Sequence, residues 1–317
     1  MRYEMCGSSD FFYLTSHIPY LISPYIELEK KESWLMPAGH DVSALDRPEV
    51  LQYLFHPRKE HIQAPPQGAI DFLIPVEEGE KLGARFYPAA PKEPHLLFFH
   101  GNGEIVSDYD TIGPAYNRYS INFLVVDYRG YGQSTGLPTA SNLISDSHTI
   151  FRKVSTWLKK QDRTGLLIIM GRSLGSVPAL EVASSYQDEI SGLILDSGFA
   201  RTVPLLDRLG VATETLGISE ADGFANFGKI RDIGKPTLII HGQNDDIIPP
   251  KEADILLANS GTMRKQLMLA AGCGHNDILQ RCGDLYFQTI SQFVEMAKRI
   301  RRRNSMPRGF DRRYPRR

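Results

Sequence analysis

Leu166-Leu-Ile-Ile-Met-Gly-Arg-Ser-Leu-Gly-Ser176 is the stretch whose reading decides the fold. Its five apolar residues, 166–170, have the continuous hydrophobicity of a strand buried on both faces. They run straight into Gly171-Arg172-Ser173-Leu174-Gly175, and residues 176–186 then read as a helix. Strand, G-x-S-x-G turn and helix, in that order, form the elbow that lifts a serine hydroxyl above the carboxyl ends of a sheet. The turn is too sharp for side chains at its flanks, a demand that glycine at 171 and 175 meets. The helix that follows presents its positive dipole end to any charge developing on the serine. Ser173 is therefore the candidate nucleophile, with an ordinary strand-to-helix turn as the alternative.

Outward from the elbow the same strand type recurs. Residues 95–99, 121–126, 192–195, 236–240 and 266–269 are short apolar runs, separated by stretches that read as helical at about 104–119, 140–160, 250–257 and 283–301. Residues 69–76 and 82–87 are joined by the polar turn Glu77-Glu-Gly-Glu-Lys81 and read as a hairpin. This alternation predicts an α/β fold: a mostly parallel sheet of about eight strands, antiparallel at its start, covered by helices on both faces. The segment 196–234 holds only short helical pieces.

A chain of 317 residues with 42% hydrophobic and 23% charged residues has the composition of a soluble globular protein. The net charge of −1 conceals a division. Residues 298–317 hold ten Lys or Arg and one Asp, so the body carries about −10 and this end about +9. Three cysteines, Cys6, Cys273 and Cys282, make neither a disulfide framework nor a metal-ligand spacing, which points to a reducing, cytoplasmic setting. No basic region leading into an apolar core and cleavage site opens the chain. The apolar stretch 11–28 is interrupted by His17, Pro19, Pro24 and Glu27, and falls short of the ~20 apolar residues of a spanning helix.

A serine becomes a nucleophile when a base takes its proton and an acid orients that base. Two late loops supply them in the chain order expected with this elbow, serine, acid, histidine. His241-Gly-Gln-Asn-Asp-Asp-Ile-Ile-Pro249 follows a buried strand and offers Asp245 and Asp246. Gly272-Cys-Gly-His-Asn-Asp277 follows the last strand and offers His275. Among nine histidines, His275 alone sits in a loop after a late strand with helix still to come. His100 and His241, at strand ends, read as loop-shaping residues. Asp245 is preferred as the acid over Asp246. Asp196, just past a strand end, is a third candidate whose other reading is a cap of the following turn. A tetrahedral oxyanion needs two fixed N–H donors; the candidates are the amides of Leu174 and, in His100-Gly-Asn-Gly103, of Asn102. A phosphate-cradling reading of Gly101-Asn-Gly103 fails because position 106 is Val and no Lys or Ser/Thr is placed as in a P-loop.

Together, His100-Gly-Asn-Gly, Asp127-Tyr-Arg-Gly-Tyr-Gly-Gln-Ser, Gly171-Arg-Ser-Leu-Gly, His241-Gly-x-x-Asp-Asp-Ile-Ile-Pro and Gly274-His-Asn-Asp resemble the α/β-hydrolase superfamily. The chain is most similar to the branch that holds the serine aminopeptidase-like hydrolases and the small acyl-protein thioesterase-like members, including the depalmitoylase type. The resemblance covers roughly residues 69–297. It implies an α/β-hydrolase fold, Ser173, Asp245 and His275 as the catalytic triad, Asn102 and Leu174 as the oxyanion hole, and neither metal nor organic cofactor.

The reading that results is a cytoplasmic serine hydrolase cleaving a carboxylic ester or thioester of a small-molecule or acyl-group substrate. Its rivals are an idle scaffold of the same fold and a peptidase or amidase. The expected domain layout is an N-terminal arm at 1–66, a catalytic domain at 67–301 with a small cap at 196–234, and a basic, disordered tail at 302–317. The tail could touch an anionic membrane; no nucleic-acid partner is expected. Phe199, Leu205, Leu206, Leu209, Phe224 and Phe227 either line an acyl pocket or form the buried faces of cap helices.

Overall fold

A computed structural model describes residues 40–60 and 64–305 of the chain. Its strands, in chain order, are β1 (Ile70–Pro75), β2 (Lys81–Tyr87), β3 (His95–Phe99), β4 (Asn122–Val126), β5 (Leu167–Arg172), β6 (Gly192–Asp196), β7 (Thr237–Gly242) and β8 (Lys265–Ala270). They form one sheet in the order β1-β2-β4-β3-β5-β6-β7-β8. The first two strands pair antiparallel through Ile70↔Phe86 and Ile74↔Leu82, β2 pairs antiparallel with β4, and every later pairing is parallel. This is the mixed sheet predicted from the hairpin and the run of apolar strands.

Helices cover both faces: α1 (Pro48–Leu54), α2 (Gly113–Arg118), α3 (Ala140–Lys160), α4 (Ser176–Ser185), α5 (Thr202–Leu209), α6 (Thr213–Leu216), α7 (Asn226–Asp232), α8 (Pro250–Asn259), α9 (Ile278–Cys282) and α10 (Asp284–Ser305). Successive strand side chains point to opposite faces, and the core divides accordingly. On β5, Ile169 joins the cluster packed by α3, α4 and α8, while Ile168 and Met170 join the one packed by α2 and α10. Because parallel strands bury both faces, each central strand holds a continuous apolar run, with polar residues at its ends. The edge strands β1 and β8 keep exposed positions, Ile70, Leu73 and Leu269 among them.

Residues 40–60 are integrated into this body. Val42, Leu45, Val50, Leu54 and Phe55 are buried in the core, Arg47 donates to the Leu216 carbonyl at 2.8 Å, and His40 bonds the Gly223 carbonyl at 2.6 Å. This part of the expected arm thus packs on the segment after β6. The aromatic stretches between 11 and 28 lie outside the described residues, as does 306–317.

Two expectations need correction. The stretch after Gly103 is not one helix: a 3-10 turn at Val106–Tyr109 precedes α2, which begins at Gly113 with Pro114 in its first turn. The tail expected to be disordered from 302 is helical through Ser305. Tyr286, Phe287, Ile290, Phe293, Val294 and Ala297 anchor α10 on the sheet. Arginine is a good helix former, and cations suit a helix C-terminus, so the basic residues prolong the helix. Among the described residues no helix is long and apolar enough to cross a membrane.

Candidate active site

The elbow is built by backbone meeting backbone. A Cβ on Gly171 would lie 2.1 Å from the Gly175 carbonyl oxygen, and one on Gly175 would lie 2.0 Å from that of Phe99. Neither obstacle is a side chain that could swing away, so both positions require glycine. Between them Ser173 is held at φ +51°, a left-handed conformation that costs a non-glycine residue about 1–3 kcal/mol and recurs at functional sites. It caps β5, starts a 3-10 turn at Ser173–Gly175 and leads into α4.

The loops after β7 and β8 meet over this serine. Ser173 Oγ lies 3.0 Å from His275 Nε2, and His275 Nδ1 lies 2.7 Å from Asp245 Oδ2. Asp245 is itself fixed: its Oδ1 accepts the amides of Ile247 at 3.0 Å and Ile248 at 2.7 Å, and its side chain is fully buried. Its acceptor position assigns the imidazole proton to Nδ1, which leaves the Nε2 lone pair facing the serine hydroxyl. Gly242 lets the two loops close, since a Cβ there would lie 2.5 Å from the Gly274 carbonyl oxygen.

The other candidates fall elsewhere. Asp246 is exposed, and its carbonyl accepts from Arg208 at 3.3 Å. Asp196 is buried, but it accepts from Tyr286 at 2.7 Å and from Ser197 at 3.2 Å instead of orienting the imidazole; neither that role nor a turn cap describes it. His241 bonds the Ile248 carbonyl at 2.8 Å and shapes the aspartate loop. His100 Nδ1 bonds the Gly101 carbonyl at 2.8 Å, while its Nε2 lies 3.2 Å from Asp127 Oδ1, near an acidic group though without hydrogen-bond geometry.

The loop 100–103 lies beside the elbow and is framed by the Asp127-Tyr-Arg-Gly-Tyr motif. Tyr128 donates to the His100 carbonyl at 2.6 Å, Asp127 accepts the Val106 amide at 2.9 Å, and Tyr131 donates to the Asn102 side chain at 2.6 Å. Arg129 grips Asp146 of α3 at 2.8 and 3.0 Å, fixing the motif to the core. The Asn102 side chain is spent on residues 54–56: its Oδ1 accepts the His56 amide at 2.8 Å, and its Nδ2 donates to the Leu54 carbonyl at 3.0 Å and to His56 Nδ1 at 2.8 Å. What Asn102 can offer a substrate is therefore its backbone amide.

Two residues at the site went unmarked by sequence reasoning. Arg172, just before the serine, pairs with Glu104 and donates to the His275 carbonyl at 2.9 Å and to Asn276 Oδ1 at 3.0 Å. Glu104 accepts the Gly101 amide at 2.7 Å and the Tyr109 hydroxyl at 2.5 Å. Burial opposes the Arg172 charge, but Glu104, with Tyr109 and Asp196, outweighs it and raises its pKa. The available signal was a charged residue in the variable position of a buried elbow.

Beside the aspartate loop, a cleft of about 270 Å³ opens between α5 and the start of α8. Phe199, Pro204, Leu205, Ile247 and Ile248 line it, with Arg201, Arg208 and Lys251 among its polar residues. Of the proposed pocket residues, Leu206, Phe224 and Phe199 are wholly buried core, Phe199 also backing the cleft wall, while half-buried Leu205 faces the cleft.

An eight-stranded, mostly parallel sheet with a serine–histidine–aspartate line at its carboxyl edge defines a class, and the chain's relatives fall in it. The family model described as serine aminopeptidase, S33, matches residues 90–216. The chain is 33% identical over 233 residues to human alpha/beta hydrolase domain-containing protein 17B, covering 70% of this chain and 74% of that one. It is 30% identical over 208 residues to protein bem46 of Schizosaccharomyces pombe, covering 63% of this chain and 67% of the relative. In fold it is similar to an esterase of Pyrococcus furiosus, with a TM-score of 0.63 at 17% identity over 76% of this chain and 98% of that one. It is likewise similar to a soluble variant of monoglyceride lipase from Saccharomyces cerevisiae, with a TM-score of 0.56 at 19% identity over 76% and 97%. The chain belongs to the α/β-hydrolase superfamily, and its fold and relatives are those of a hydrolase.

Proposed function

We propose that this protein is a serine hydrolase that cleaves a carboxylic ester or thioester through an acyl-enzyme intermediate. The observation that carries the reading is the unbroken line Asp245–His275–Ser173, with contacts of 2.7 and 3.0 Å, at a glycine-bounded elbow. His275 Nε2 takes the Ser173 proton as Oγ bonds to the substrate carbonyl carbon. The amides of Asn102 and Leu174 stabilise the resulting oxyanion. Collapse breaks the bond to the leaving oxygen or sulfur, which departs with the proton from His275. A water then gives one proton to Nε2 and its hydroxide to the acyl carbon, and Ser173 leaves reprotonated. Asp245 stays ionised and holds the imidazole as it becomes charged.

The cleft beside Ile247 and Ile248 is the acyl subsite in this reading. Phe199, Pro204, Leu205, Ile247 and Ile248 give it an apolar side flanked by charged residues, and Ile247 and Ile248 belong to the loop whose amides hold Asp245. A panel of p-nitrophenyl esters of rising chain length, an acyl thioester and an acyl p-nitroanilide tests the proposal. Wild type should turn over esters or the thioester, and Ser173→Ala should lose all of it. Turnover of the anilide alone would replace esterase with amidase chemistry, and equal turnover by both proteins would remove Ser173 from the mechanism.

A further inference from the structure

The Arg172–Glu104 pair joins the three segments that the proposed reaction must keep in register. From the elbow itself, Arg172 reaches the histidine loop through the His275 carbonyl at 2.9 Å and Asn276 at 3.0 Å. Through Glu104 it reaches the loop 100–103, because Glu104 accepts the Gly101 amide at 2.7 Å. The pair also lies hard against that loop: a Cβ on Gly101 would sit 2.6 Å from Arg172 Nη1 and 3.1 Å from Glu104 Oε1. The arginine side chain is only 16% exposed, so its donors face this cluster, and Tyr109 completes the carboxylate's partners at 2.5 Å.

Two of these contacts, to the His275 carbonyl and the Gly101 amide, are with backbone atoms, and that determines what they can do. Holding the His275 carbonyl fixes the residue from which the imidazole projects. Holding the Gly101 N–H fixes the His100–Gly101 peptide, one unit before the Asn102 amide that is the proposed oxyanion donor. The hydrogen bonds of the Arg172 and Glu104 side chains go to each other, to the His275 carbonyl, Asn276, the Gly101 amide and Tyr109, and not to the Ser173 hydroxyl, the imidazole or Asp245. We infer that Arg172 and Glu104 are positioning residues: acting as one unit, they set the general base and the oxyanion amide relative to the serine. The inference rests on the serine-hydrolase reading above. A misplacement of about 1 Å in such a constellation can cost about 10²-fold in rate.

The test uses the ester that wild type hydrolyses best, with Arg172→Met, Arg172→Lys, Glu104→Gln and the double variant Arg172→Met/Glu104→Gln. Arg172→Met should lower kcat by about 10²-fold with KM little changed, and should slow labelling of Ser173 by a fluorophosphonate to a similar extent. Arg172→Lys, which keeps the charge but not the fork, should recover part of kcat. Glu104→Gln should fall between wild type and Arg172→Met. The double variant should be no worse than Arg172→Met, since residues that act as a unit are not additive. Thermal midpoints are measured alongside. If Arg172→Met is too unstable to assay, Arg172→Lys and Glu104→Gln carry the comparison, and wild-type kcat in both overturns the inference. It is also overturned if folded Arg172→Met keeps wild-type kcat, if only KM moves, or if the two losses multiply in the double variant. A wild type that is not labelled at Ser173 would instead sink the underlying hydrolase reading, whatever the Arg172 variants do.

Discussion

The elbow and the segment after β6 lie on the same edge of the sheet and are built on opposite terms. At the elbow, backbone packs on backbone: added Cβ atoms at 171 and 175 would meet carbonyl oxygens at 2.1 and 2.0 Å. In the segment 197–234, helices of four to eight residues present half-buried side chains such as Val203 and Leu205, and a Cβ on Gly234 would meet only the Gln187 side chain, at 3.7 Å. The elbow's geometry has almost no tolerance, whereas the cleft beside α5 can be reshaped one side chain at a time. A fold so divided can keep a mechanism while changing its substrate.

The sharpest way to break this contrast is an alanine at each place. Gly175→Ala should cost on the order of 4 kcal/mol or more, since a main-chain carbonyl must move, and should be read as loss of the cooperative unfolding transition. Leu205→Ala, in the half-buried cleft wall, should cost about 1 kcal/mol in the same assay. A stable Gly175→Ala protein would contradict the close-contact account. Next in size is the acid. Asp245→Asn should lower kcat by about 10⁴-fold, because the amide no longer holds the imidazole tautomer. Asp246→Asn should leave kcat near wild type. Asp196→Asn should act mainly on stability through its bond from Tyr286. A larger kcat loss in either of those two than in Asp245→Asn would move the acid.

Smaller effects test the cleft. Leu205→Trp should shorten the preferred acyl chain, lowering kcat/KM for the longest esters by about 10-fold or more, with the shortest ester unaffected. Equal losses across the panel would place acyl binding elsewhere. The smallest effect comes from far outside the site. Burial, helped by the charge of Arg163, lowers the pKa of His95 at the start of β3 to about 4. Its folded pKa lies below the unfolded value of about 6.5, so the stability it confers is present above pH 6.5 and is lost as pH falls toward 4. His95→Leu should flatten that limb of a pH–stability curve; an unchanged slope would assign the acid sensitivity to other groups.

What was legible in the sequence follows the same division. Buried parallel strands are continuous apolar runs, so all eight could be placed to within a residue or two. The elbow glycines announced themselves because backbone collisions leave one residue type. His275 and Asp245 were found from loop position and chain order, and the structure brings both to Ser173. The cap side chains were ambiguous, since Leu206 and Leu205 look alike in sequence yet one is core and the other faces the cleft. Arg172 and Glu104 were missed for a different reason. The contacts that give them a role are with main-chain groups, the His275 carbonyl and the Gly101 amide, and main-chain groups have no residue type to read.

One measurement bears most directly on the central claim. Wild type and Ser173→Ala are each treated with a fluorophosphonate, digested and mapped by mass spectrometry. A single adduct on Ser173 in the wild type, absent from the alanine protein, is the predicted result. An adduct on another residue, retained when Ser173 is replaced, would contradict it.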